Sequence, residues 1–273
     1  MEKRTNSSYG RGLLLAPLAF ACLCQAAAPN ALIVMDGTPV IEPNVVTNLT
    51  NALIAAGYNV PTPVLAVPGS LTPANYKQVW DIRYSTPLTP SDVSAYVAYL
   101  AAGGSLFVVG ENVTDEANRD GSVVNLIQSA GGGNITVVNA SNVETVLSPF
   151  TGPDPVTAIT FIDAGGSATT GTGSFVTKDT NNDGIGTGIV WPPGSLVNGR
   201  AGTLITVFDI NFMETIADAN SQALLANLIG YLNAPPAPPA TVPTLSETAL
   251  VLAAFGLMAI AAWRLGRRRP STI

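Results

Sequence analysis

Apolar residues fall along this chain in two textures, and the change between them outlines a fold. The continuous run Ala31-Leu-Ile-Val-Met35, which ends in Asp36-Gly37, reads as a buried strand, and the apolar-rich stretches Val64 to Val67, Gln78-Val-Trp-Asp-Ile82, Ser105-Leu-Phe-Val-Val109 and Thr203-Leu-Ile-Thr-Val-Phe-Asp209 read as further strands. Between them apolar residues recur at helical spacing. Val45, Leu49, Leu53 and Ala56 predict a helix over 44–56 closed by Gly57, and Val93, Tyr96, Val97 and Leu100 predict one that starts at Pro90 or Ser91 and stops at Gly103-Gly104. A further helix is expected around 123–130, a strand at 135–138, and a last helix over 221–232 with Leu224, Leu225, Leu228 and Leu232 on one face. Strands alternating with helices imply parallel pairing and right-handed crossovers, with helices on both sheet faces. The expected class is α/β, a three-layer sandwich on a mostly parallel sheet. Residues from about 148 to 200 depart from the pattern: they are rich in Gly, Thr, Ser and Pro with short apolar runs, and predict a β-rich insertion.

Both ends of the chain carry longer apolar stretches with a different meaning. Lys3, Arg4 and Arg11 precede Leu13 to Leu23, and Gln25-Ala26-Ala27-Ala28 supplies small residues for cleavage, so residues 1–28 read as a secretory signal peptide. Cys22 and Cys24, the two cysteines of the chain, both lie inside it. A lipid-attachment reading of Ala19-Phe20-Ala21-Cys22 fits in part. After ordinary cleavage the exported domain, 29–233, has no thiol and hence no disulfide or thiolate metal site. Ala234-Pro-Pro-Ala-Pro-Pro239 begins a stiff, extended linker over 234–242. The uncharged run Thr248 to Trp263 then predicts a transmembrane helix over 248–265. Its sixteen residues span roughly 24 Å, against a hydrocarbon core of roughly 30 Å. Arg264, Arg267, Arg268 and Arg269 stop it and place that side in the cytoplasm.

The order of these tail features carries a resemblance. Val242, Pro243, Thr244, Leu245, Ser246 and Glu247, followed by the apolar run and the arginine cluster, resemble the IPTL-CTERM sorting domain of Gram-negative bacteria, related in design to PEP-CTERM signals handled by exosortase-type enzymes. Val242 stands where that family usually has isoleucine, and Thr248 where a tryptophan is common. The resemblance implies export through the secretion machinery, retention by residues 243–273, and handling by a membrane protease that cuts near Pro243 and passes the protein to the surface or releases it. The layout of the central domain loosely resembles the class I glutamine-amidotransferase-like, flavodoxin-like fold. The residues that carry it are Leu32 to Asp36, Tyr96 to Gly110 and Thr206 to Phe212 with the helix bearing Asn227. That family's catalytic branch needs a cysteine at a strand-to-helix elbow and a downstream histidine. Here Gly110-Glu111-Asn112 stands near that turn, so amidotransferase activity is not implied.

Composition narrows the chemistry further. The chain contains no histidine, which removes the commonest general base and zinc ligand together with Ser-His-Asp and Cys-His catalysis. Residues 29–233 hold five basic and sixteen acidic side chains, a net charge of −11, which argues against nucleic acid as a partner and admits cation binding or plain solubility. Asp36, Glu111 and Asp209 close three predicted strands, with Asn112 and Asn211 beside them and Asp81 and Arg83 after the third strand, at the edge where open α/β sheets bind ligands. Such a cluster suits a hard cation or sugar hydroxyls; the same residues also suit turns and caps. Asp179, Asn181 and Asp183, followed by Gly184, match the start of a calcium loop, but Val190 replaces the closing glutamate, and an Asn-Asp-Gly hairpin turn accounts for the same residues. The expectation is a non-enzymatic exported cargo of the cell envelope. The alternatives are a calcium- or carbohydrate-binding module, with extracellular polysaccharide as partner, and a histidine-free hydrolase. No catalytic residue is assigned, and calcium is the one cofactor the pattern admits.

Overall fold

The computed structural model describes residues 27–37, 42–179, 184–214 and 218–233. In chain order its elements are β1 (Ala31–Val34), α1 (Glu42–Ala55), β2 (Gln78–Asp81), α2 (Pro90–Ala101), β3 (Ser105–Val109), α3 (Ala117–Ala130), β4 (Val137–Asn139), β5 (Val143–Val146), β6 (Ala158–Thr160), β7 (Gly165–Ser167), β8 (Ser174–Phe175), β9 (Thr177–Asp179), β10 (Gly188–Trp191), β11 (Thr203–Val207) and α4 (Ala219–Asn233). The fold is mixed α/β with a mostly parallel sheet, ordered β1-β2-β3-β11-β10-β8. The first four strands are mutually parallel, and β10 and β8 extend the sheet antiparallel.

Alternation along each strand sorts side chains onto two faces, and both are covered. Ile33, Trp80, Phe107 and Ile205 pack with Val45, Leu49 and Leu53 of α1 and Leu224 and Leu228 of α4. Leu32, Val79, Leu106 and Leu204 pack on the opposite face with Tyr96, Tyr99 and Leu100 of α2 and Leu126 and Ile127 of α3. This two-sided burial is why β1 and residues 106–109 of β3 read as unbroken apolar runs. Trp80 stacks on Phe107 across β2 and β3, with ring centroids 4.5 Å apart. The buried polar neighbour Gln78 is satisfied from both ends of its amide. Its Oε1 accepts from the Trp80 indole, and its Nε2 donates to the Tyr58 hydroxyl and to the Ile229 carbonyl.

Local chemistry sets the helix limits. Thr89 and Asp92 form a reciprocal capping box at the start of α2, with Pro90 in the first turn. Gly131 closes α3 in the left-handed region, φ 84°, its N–H bonded to the carbonyls of Gln128 and Ile127. Two expectations shift. The strand expected at 64–67 reduces to one parallel bridge between Val64 and Val34, because Pro61, Pro63 and Pro68 around it carry no N–H to donate. Helix α3 begins at Ala117 rather than near Val123, since its first turns bury Arg119 and Asp120, which give no apolar signal.

The Gly- and Thr-rich segment divides. β8 and β10 join the main sheet, while β6-β5-β9 and β4-β7 form two small antiparallel sheets beside it. β7 passes against the loop after β3 so closely that a Cβ at Gly165 would overlap the Glu111 carbonyl oxygen. Backbone on both sides blocks relief, so Gly165→Ala is expected to destabilise the domain by about 1–3 kcal/mol in chemical denaturation. A change below a few tenths would show that the small sheet yields freely. The expected signal peptide up to residue 26, the expected linker and the expected sorting segment with its transmembrane helix lie outside the described residues. Among the described residues no helix is long and apolar enough to cross a membrane.

Candidate functional site

The carboxyl edge of the parallel strands is where the sequence concentrates acids, and strand order decides which of them meet. β3 and β11 are neighbours, so Glu111 and Asp209, two residues beyond their ends, face one another. Asp36 follows β1, which is separated from β3 by the whole of β2, about 10 Å at ordinary strand spacing. Asp36 turns to another partner: its Oδ2 accepts from the Ser85 N–H at 2.9 Å. The three strand-end acids therefore divide into a pair and a separate residue.

The pair is turned inward. Glu111 is buried and its Oε1 accepts from the Ile210 N–H at 3.0 Å. Burial pushes its carboxyl up to about 9, Asp209 pushes the same way, and the Ile210 N–H opposes them, so it is uncharged at neutral pH. Asp209 is fully buried. Its oxygens accept from the N–H groups of Ile162 and Asn211, and burial raises it to about 7 against those two bonds. Asp120 accepts from the Glu111 N–H at 2.7 Å and is raised by burial to about 6. Asn112 is occupied locally. Its Oδ1 accepts from the N–H groups of Thr114 and Asp115, and its Nδ2 donates to Asp115, so it shapes the turn after β3. Tyr84 stands above this edge, its hydroxyl raised to about 12 by burial first and then by Glu111, Glu116, Asp115 and Asp209.

Under the same edge lies a network that sequence reasoning did not assemble. Asp81, the last residue of β2, is fully buried. It pairs with Arg83, with Arg119 Nη2 at 3.1 Å, and accepts from the Tyr96 hydroxyl at 2.7 Å. Arg83 also reaches Asp92 of the α2 capping box at 3.2 Å. Arg119 is buried too, and donates to the Val109 and Thr86 carbonyls. Burial works to raise the Asp81 carboxyl, but Arg119, Arg83 and Tyr96 outweigh it and hold it below its ordinary value. The sequence marked Asp81 and Arg83 at this edge, but Arg119, 38 residues further on, carried no local signal.

Asp179 ends β9 in register with Glu144 of β5. The buried Glu144 accepts from the Thr187 N–H and hydroxyl, and burial raises its carboxyl. Asn181 and Asp183 of the candidate calcium loop lie outside the described residues. Among the described residues no three His, Cys, Asp or Glu side chains are grouped to hold a metal ion.

No protein-family model matches the chain, and no curated protein matches it in sequence. Solved structures resemble its fold. The mmIFT52 N-terminal domain aligns with 74% of this chain and 97% of its own length at 11% identity, with a TM-score of 0.55. Exo-beta-1,4-mannosidase Op5Man5 from Opitutaceae bacterium strain TAV5 aligns with 77% of this chain at 11% identity, with a TM-score of 0.50, but over only 37% of the mannosidase. A thua-like protein from Bacteroides uniformis aligns with 76% of this chain and 93% of its own at 14% identity and a TM-score of 0.49. At such identities the likeness concerns the fold.

Proposed function

We propose that this chain is an exported protein of a Gram-negative cell envelope whose central domain is non-enzymatic cargo on a glutamine-amidotransferase-like, three-layer α/β frame. One structural observation carries the non-enzymatic part. The strand-end acids, carboxyl groups at the edge where open α/β sheets bind ligands, each accept backbone N–H groups that hold loops in place. Glu111 secures Ile210, Asp209 secures Ile162 and Asn211, and Asp36 secures Ser85. A general base must reach a substrate proton; the oxygens that make these bonds are engaged by the protein's own backbone.

The address rests on the sequence. Residues 1–28 supply an export signal, and Val242–Glu247, the apolar stretch and Arg264, Arg267, Arg268 and Arg269 supply the membrane-sorting tail. The Pro-rich linker holds the acidic domain off the bilayer, outside the inner membrane, until a sorting protease acts on the tail.

Fractionation with an antibody to the domain tests this. The full chain is expected in the membrane fraction and open to a protease of broad specificity added to spheroplasts, and deletion of residues 243–273 is expected to release soluble domain. Full-length chain in the cytosol with residues 1–28 still attached would overturn the reading.

A further inference from the structure

Beyond the end of β3, a cavity of about 250 Å³ opens between the β3–α3 loop and the small sheets, lined by Asn112, Thr114, Asp115, Asn139, Asn142 and Asp163. We infer that this cavity binds one ring of a neutral sugar, as a free monosaccharide or the end of a glycan. The proposal goes beyond the export reading and does not depend on where the chain resides.

The hydrogen-bond inventory of the wall selects the ligand class. Asn139 spends its Nδ2 on the Thr114 hydroxyl at 3.2 Å, which leaves its Oδ1 as an acceptor and the Thr114 proton as a donor. Asn142 spends its Oδ1 on the Ala164 N–H, which leaves its Nδ2 as a donor. Asp115 gives one oxygen to Asn112 and keeps the other, and Asp163 adds a carboxylate at the solvent-exposed rim. The wall thus offers both donors and acceptors. A metal ion has no use for the donors. An anion is repelled by the two carboxylates, and an ammonium group leaves Asn142 Nδ2 and Thr114 without acceptors. Vicinal hydroxyls donate and accept at once, and so meet both kinds of group. The volume is below the roughly 300–1,000 Å³ of drug-sized ligand sites, which limits the occupant to about one ring. The position, past the carboxyl end of a parallel strand, is where open α/β sheets bind ligands.

Asp163 makes the test clean. It holds φ 52°, a left-handed conformation that glycine adopts without strain, so Asp163→Gly removes the carboxylate while leaving the fold as stable as before or more so. Asn142→Ala removes the free donor at the cost of one long contact. The full chain in a zwitterionic, sugar-free detergent is titrated calorimetrically with glucose, mannose, galactose and N-acetylglucosamine. At least one sugar is expected to bind saturably with a millimolar Kd. Both variants are expected to weaken it about tenfold or more at unchanged Tm, the effect of one lost ligand hydrogen bond in a polar site. No binding by any of the four at tens of millimolar overturns the proposal, as does binding undiminished in both variants, or displacement of the sugar by methylammonium or calcium.

Discussion

Arg119→Met is expected to cost the domain about 3–5 kcal/mol, because it leaves Asp81 buried with half of its compensating charge removed. In a domain of this length that corresponds to a fall in Tm of roughly 10–15 °C. The size follows from the neighbourhood. Arg119 also holds the Val109 carbonyl at the end of β3 and the Thr86 carbonyl ahead of α2, so its loss strands two further acceptors. The double variant Asp81→Asn with Arg119→Met should lose less than the sum of the single changes, since the uncompensated charge goes with the arginine. The exposed Arg200→Met serves as control and should shift stability by about 0.5 kcal/mol or less. A loss below about 1 kcal/mol for Arg119→Met would sink the view that this network organises the carboxyl edge.

The domain is expected to be most stable in mildly acidic solution and to weaken steadily as the pH is raised to 9. Glu111, Asp209 and Asp120 have folded pKa values of about 9, 7 and 6, all above the ordinary carboxylate range, with burial as the leading cause. Between the ordinary value and the raised one, the folded chain binds protons that the unfolded chain has released, so stability falls with rising pH across that interval. Asp81 acts with the opposite sign. Its folded pKa lies below the ordinary 3.8, so its contribution is present above that value and fades as the pH falls further. The two slopes put the optimum near pH 4–6. Melting at pH 9 should occur roughly 5–10 °C below melting at pH 5.5, a loss on the order of a few kcal/mol. Glu111→Gln keeps an oxygen for the Ile210 N–H but cannot ionise, and should remove much of the alkaline decline. If the Gln variant declines as steeply as the native chain between pH 7 and 9, Glu111 is not the group responsible.

What the sequence disclosed and what it withheld divide along the range of the interactions. Ala31 to Val34 and Ser105 to Val109 were legible because a strand buried on both faces needs no information from elsewhere to read as an apolar-rich run. The α2 start was legible because Pro90 and its capping residues are local chemistry. Asp81 and Arg119 are 38 residues apart, and Glu144 and Thr187 are 43 apart, so no window of sequence contains either partnership. The acids at the strand ends were found in their places, but their direction was not. Whether Glu111 faces solvent or accepts from Ile210 depends on β11 lying beside β3, which is a property of the assembled sheet. The cavity lined by Asn139, Asn142 and Asp163 was hidden for the same reason: its walls come from three loops that the β-rich composition could not order.

Pairing Arg83 and Arg119 inside the domain also changes what the outside world can handle. Of its five cationic side chains only Lys77, Lys178 and Arg200 remain for the surface, and Lys178 is itself half-buried in a strand. To a protease that cuts after lysine or arginine, or to a reagent that seeks amines, a folded domain of some two hundred residues is nearly blank.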